Sequence, residues 1–112
     1  MEGDRVIAAL SALAQEHRLA VFRLLVQAGE QGVAAGLLAE KLGVPPSSMS
    51  FHLAQLANAG LVDQRRESRS IIYSADYSAM NGLMGYLTEN CCGGISCSED
   101  SANPATSQRK SA

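Results

Sequence analysis

The chain has 112 residues and 11.8 kDa, with 46% hydrophobic but only 4% aromatic residues and a formal net charge of −2. That is room for one core, which excludes a two-domain enzyme; with two Phe, three Tyr and no Trp the core lacks large fillers and calls for a partner subunit. No global positive field advertises a polyanion, no apolar run approaches the ~20 residues of a bilayer span, and Met1-Glu2-Gly3-Asp4 is unlike a secretion signal, so the expectation is a cytoplasmic protein without a membrane partner.

Residues 5–14 put Val6, Leu10 and Leu13 at helical spacing among good helix formers, which predicts a first amphipathic helix. From Glu16 to Ala28 the pattern repeats through Leu19, Phe22, Leu25 and Val26, and Gly29 supplies the expected stop. Residues 34–42 form a short third helix in which Leu37, Leu38 and Leu42 can face inward before Gly43 ends it.

After Val44 come Pro45 and Pro46, tolerated where the first turn of a helix needs no N–H, and a fourth helix runs from Ser47 to Ala59 with Gly60 closing it. At 100° per residue Met49, Leu53 and Leu56 share one face. Ser47, Ser48, Phe51, Gln55 and Asn58 lie opposite, with Ser50 and His52 on the borders. Residues 61–66 and 69–74 are β-prone runs around Glu67-Ser68, a hairpin whose tip gathers Arg65, Arg66 and Arg69. Met80, Leu83, Met84 and Leu87 then predict a fifth helix from Tyr77 to about Asn90, weakened by Gly82 and Gly85.

The expected architecture is mainly α with a β-hairpin wing, in the order α-α-α-α-β-β-α. Residues 1–90 would make a winged helix-turn-helix unit for DNA binding and dimerisation, 91–97 a cysteine sensor segment, and 98–112 a disordered tail too polar to offset its ordering entropy.

A helix-turn-helix followed by an arginine-tipped wing suits double-stranded DNA. A helix fits the major groove, and the short polar side chains of Ser47, Ser48, Ser50, His52 and Gln55 can meet base edges there, while Arg65, Arg66 and Arg69 meet phosphates. The plainer alternative is a solvated helix beside a solvated turn. His17, in Glu16-His17-Arg18-Leu19, reads as structural, and Met80 and Met84 as packing residues.

Residues 13–25, Leu37 to Val44, Ser47 to Leu56, Ala59-Gly60-Leu61-Val62 and Arg69 to Tyr73 together resemble the ArsR/SmtB metal-responsive winged-helix repressors. The resemblance spans roughly residues 10–74 and implies a homodimer that represses an operon, here one for arsenic resistance, until a thiophilic ion releases it. It also places Ser47, Ser50, Phe51 and His52 at DNA-facing positions. The first and last helices, with their Leu, Met and Ala stripes, are the expected dimer surface, and two recognition helices imply an inverted-repeat operator.

Three cysteines lie within seven residues, Cys91, Cys92 and Cys97. Thiolates select soft ions, and three of them without a nearby fourth ligand suit a three-coordinate centre better than tetrahedral zinc. The expected inducer is trivalent arsenic (arsenite), with antimonite or methylarsenite as variants. Gly93-Gly94 would let the chain turn Cys97 back toward the adjacent pair. Founding arsenical repressors carry their Cys ligands beside the recognition helix, but residues 33–42 here contain none; the pattern is closer to members with a vicinal pair and a third Cys after the last helix. Residues 77–88 contain no His, Asp or Glu, against the zinc-sensing branch. Several alternatives remain open: a thiol-redox or persulfide sensor in which Cys97 resolves an adduct on Cys91 or Cys92, an organoarsenical site needing two thiols, idle thiols in an exposed tail, and a protein-binding winged helix. A thiol-dependent enzyme such as an arsenate reductase is disfavoured, since neither a phosphate-cradling loop nor an anion-holding Arg accompanies the cysteines.

Overall fold

The computed structural model describes residues 1–94. Helix α1 spans Gly3–Leu13 and α2 spans Glu16–Ala28; the Gln15 side chain caps α2, its Oε1 accepting from the amides of His17 and Arg18 at 2.8 and 3.0 Å. Gly29, at φ 78°, ends α2 and begins a 3-10 turn, Gly29–Gln31. A two-residue strand β1, Val33–Ala34, follows and leads directly into α3, Ala35–Leu42. Neither the turn nor β1 carries a periodicity that the sequence could display. Gly43 closes α3 in the left-handed region, and α4, Pro46–Asn58, starts with Pro46 in its first turn, where the missing N–H costs nothing.

Strands β2, Val62–Glu67, and β3, Ser70–Ala75, pair antiparallel with Glu67 opposite Ser70, so the hairpin tip is Ser68-Arg69, one residue later than expected. Ser68 takes φ 57° there. β1 adds to the other edge of β3 through Val33↔Tyr73 and Ala34↔Ile72, giving the sheet order β1-β3-β2. Helix α5, Tyr77–Leu87, begins with the Asp76 carboxylate accepting from the Ala79 amide, while the Tyr77 hydroxyl donates to the Val26 carbonyl at 2.9 Å and pins α5 to α2. It ends at Leu87 and not near Asn90: a turn follows, Asn90 takes φ 58°, and Cys91–Gly94 form a 3-10 turn. The expected tail at 98–112 lies outside the described residues.

The core is built from Val21, Phe22 and Leu25 of α2, Leu38 of α3, Met49, Leu53 and Leu56 of α4, and Leu61, Val62 and Ala75 at the base of the wing. Among the described residues no polar or charged side chain is buried. In α1 the inward face is Val6, Ala9 and Ala12. The expected Leu10 is exposed, Leu13 only partly buried, and Ile7 lies 68% exposed. Small side chains let α1 approach its neighbours closely, and its larger ones are left outside. Leu19 and Leu37, expected inside, are also exposed, as are Met84 and Leu87 of α5, whose inward residues are Ala79 and Leu83.

Candidate nucleic-acid interface

The helix-turn-helix is α3, the Gly43-to-Pro45 turn and α4. Burial of Met49, Leu53 and Leu56 turns the opposite side of α4 outward as expected: Ser47, Ser48, Ser50 and Phe51 are exposed, and His52 and Gln55 half-buried. Ala54 and Asn58 fall on the same open face. Phe51 is 58% exposed, so it adds an apolar plate to an otherwise hydroxyl- and amide-bearing surface. Such a face can donate and accept at base edges and meet a thymine methyl.

His52 is held from the side by residues that sequence reasoning did not connect with it. Arg18 of α2 donates through Nε to the Ala12 carbonyl at 2.6 Å, and its Nη1 stands 3.3 Å from His52 Nδ1. A guanidinium has only donors, so Nδ1 accepts and the neutral imidazole carries its proton on Nε2. The His17 ring lies 5.5 Å from that of His52, tilted by 42°, and the Phe51 ring 5.9 Å away at 63°. Burial first, then the Arg18 charge and then His17, hold the His52 pKa below its ordinary 6.5. Since 34 residues separate Arg18 from His52, no local pattern signals the contact.

The three wing arginines separate. Arg66 and Arg69 are exposed and make no hydrogen bond or ion pair among the described residues. Arg65 is engaged within the chain, through Nε to Glu67 at 2.7 Å and through Nη2 to the Gln31 carbonyl at 2.8 Å. The wing's local positive charge is therefore carried mainly by two of the three.

Of the segment expected to be a sensor, Cys91 is half-buried in the turn that follows α5; the Cys92 side chain and Cys97 lie outside what the structure describes, so the grouping of the three thiols is not part of this geometry. Among the described residues no three His, Cys, Asp or Glu side chains converge as a metal site, and no helix is long and apolar enough to cross a membrane. A surface groove of about 420 Å³ between α2 and α3, lined by Ala20, Arg23, Leu24, Gln27, Lys41 and Leu42, offers no nucleophile beside a base.

Comparison with known proteins places this geometry. Residues 13–65 match the family described as Helix-turn-helix domain. The chain is 32% identical over 89 residues to the HTH-type transcriptional regulator YgaV of Escherichia coli (80% of this chain, 88% of YgaV). It is 38% identical over 88 residues to the nodulation protein NolR of Rhizobium meliloti (77% and 70%). Among solved structures, an ArsR-like transcriptional regulator from Rhodococcus superposes with a TM-score of 0.66 at 27% identity, covering 75% of this chain and 76% of that one. The homodimeric winged helix-turn-helix domain of Mb0332 from Mycobacterium bovis, described as a possible ArsR-family regulator, gives 0.63 at 28% (78% and 81%). Reduced HlyU from Vibrio cholerae gives 0.60 at 26% (80% and 90%). The chain is a transcriptional regulator and not an enzyme: it belongs to the ArsR family of winged helix-turn-helix DNA-binding regulators.

Proposed function

We propose that this chain is a thiol-gated regulator that binds inverted-repeat operator DNA as a homodimer and changes its affinity through sulfur chemistry at Cys91, Cys92 and Cys97. The observation that carries the reading is the crowding of all three cysteines of the chain into seven residues that begin one turn after the end of α5. α5 packs on α1, and together they expose Ile7, Leu10, Met84 and Leu87, an apolar surface suited to a second copy. The homodimeric state of Mb0332 supports the pairing of two copies. A chemical change beside α5 would alter the angle between protomers and hence the spacing of the two α4 helices, which must match half-sites about one DNA turn apart.

Thiol redox is the reading of the signal that the relatives favour, because HlyU has been solved in a form named as reduced. A peroxide would oxidise one thiolate of the vicinal pair to a sulfenic acid, releasing hydroxide; the Cys97 thiol would then displace water to close a disulfide. A persulfide donor would transfer its outer sulfur to the same thiolate, its own S–S bond breaking as its thiolate leaves. Capture of trivalent arsenic or antimony is the second reading, favoured by a thiol count that equals the coordination number of those ions.

Intact-mass spectrometry of the full chain after hydrogen peroxide, polysulfide or arsenite, with operator affinity measured on the same samples, separates the readings. Redox gating predicts loss of two hydrogens, altered affinity restored by DTT, and no response in Cys97→Ser. An arsenic adduct that releases DNA, with no effect of peroxide, supports the second reading. Unchanged affinity in every case refutes thiol gating.

A further inference from the structure

We infer that Arg65 is a wing-positioning residue and not a phosphate contact, so that Arg66 and Arg69 carry the wing's charge to DNA. All three guanidinium nitrogens of Arg65 face acceptors within the chain: Nε the Glu67 carboxylate at 2.7 Å, Nη2 the Gln31 carbonyl at 2.8 Å, and Nη1 the Glu30 carbonyl at 3.4 Å. The two carbonyls lie 34 and 35 residues away in sequence. They belong to the 3-10 turn after α2, and the last carbonyls of such a turn have no donor of their own.

The sheet register explains the reach. Arg65 pairs with Ile72 and Ile72 with Ala34, so the three form one row across β2, β3 and β1 and share a face. Glu67, two residues on, lies on that face as well, while Arg66 points to the other side. On the far edge Gly32 lies so close to the β3 backbone that an added Cβ would stand 2.3 Å from the Tyr73 carbonyl oxygen. The 3-10 turn is thus seated against β3, and Arg65 bolts β2 to it. A hairpin standing out from a small core is otherwise free to swing about its base, and this contact fixes its angle to α4 partway along its length. Glu67 also neutralises Arg65, which leaves little net charge to offer a phosphate.

The inference rests on the DNA-binding reading, and two measurements keep the two apart. Affinity of the full-length protein for its own upstream DNA is titrated against salt for the wild type, Arg65→Lys, Arg65→Ala, Glu67→Gln and Arg66→Ala. Positioning predicts that Arg65→Lys weakens binding as Arg65→Ala does, roughly three- to tenfold, because an ammonium cannot serve three acceptors in a plane. The salt slope then stays as in the wild type. Glu67→Gln also weakens binding, although it removes a negative charge. Arg66→Ala flattens the slope by about 0.9 for each phosphate that is no longer neutralised, about 1.8 in a dimer. A wild-type affinity for Arg65→Lys, a flattened slope for Arg65→Ala, or tighter binding by Glu67→Gln overturns the assignment. In the free protein, backbone ¹⁵N relaxation at Ser68, Arg69 and Ser70 should show a looser wing in Arg65→Lys. An unchanged wing overturns the assignment whether or not the wild type binds DNA, whereas wild-type failure to bind duplex indicts only the DNA-binding reading.

Discussion

Gly32 is the position at which one methyl group should do the most damage. It adopts φ 72° and ψ −170°, a region open essentially to glycine alone, and an added Cβ would stand 2.3 Å from the Tyr73 carbonyl oxygen and 2.9 Å from Ile72 Cγ2. Backbone strain in such a region costs about 1–3 kcal/mol. The overlap with a main-chain oxygen must in addition push the turn away from β3, which sacrifices the two-residue β1 pairing and the bonds of Arg65 to Glu30 and Gln31, about 1–2 kcal/mol more. Gly32→Ala should therefore cost about 2–5 kcal/mol, a large share of the ~5–14 kcal/mol expected for a unit of 94 residues, and lower Tm by about 8 °C or more. Gly29→Ala is the internal control. Its φ of 78° is equally demanding but nothing lies within 4 Å of an added Cβ, so only the strain remains. Thermal and urea unfolding followed by circular dichroism measures both. If Gly32→Ala falls within about 0.5 kcal/mol of Gly29→Ala, the close approach to β3 is not what fixes glycine at this position.

Asp76 caps α5, so Asp76→Ala should cost about 1 kcal/mol and Asp76→Asn much less, read by the same unfolding curves. His52 contributes a pH dependence of known sign: its pKa is lowered in the folded state, so the unfolded chain binds a proton that the folded chain refuses. There is no penalty above the ordinary value of 6.5; stability falls as the pH drops below it, until the lowered folded pKa is passed. Wild-type Tm should thus fall more steeply between pH 7.5 and 5.5 than that of His52→Gln, and parallel curves would show that burial, Arg18 and His17 together do not lower the pKa of this imidazole. Leu87 and Ile7 are exposed on the surface assigned to the partner, so the double variant Ile7→Glu, Leu87→Glu should keep its helical spectrum and lose dimer mass in light scattering. A dimer that survives both changes moves the interface elsewhere.

What the sequence could disclose follows from what has a period or a punctuating residue. α4 was legible because Met49, Leu53 and Leu56 repeat at helical steps between Pro46 and Gly60, and its exposed face follows from the same spacing. α1 was placed, but its inward face was not: a leucine pattern points to Leu10 and Leu13, whereas close packing selects Ala9 and Ala12 and leaves the larger side chains outward. β1 is two residues long and exists only because β3 offers an edge. The wing was recognisable from its β-prone runs, yet a charge count could not separate Arg65 from Arg66. That distinction depends on strand alternation and on two carbonyls more than thirty residues upstream. The Arg18–His52 contact is of the same kind, a tertiary pairing without a local signature.

The most direct measurement is a fluorescence-anisotropy titration of the full-length protein on its own upstream duplex, fully reduced and then after mild peroxide, with DTT added last. The account predicts specific binding by the reduced dimer, a large change in affinity on oxidation, and recovery with DTT. Arsenite added to the reduced complex tests the alternative signal at the same thiols. Specific binding that neither peroxide, polysulfide nor arsenite disturbs would contradict thiol gating, and failure of the reduced protein to prefer its own upstream duplex over unrelated DNA at low salt would contradict the assignment of α4 as the element that reads sequence there.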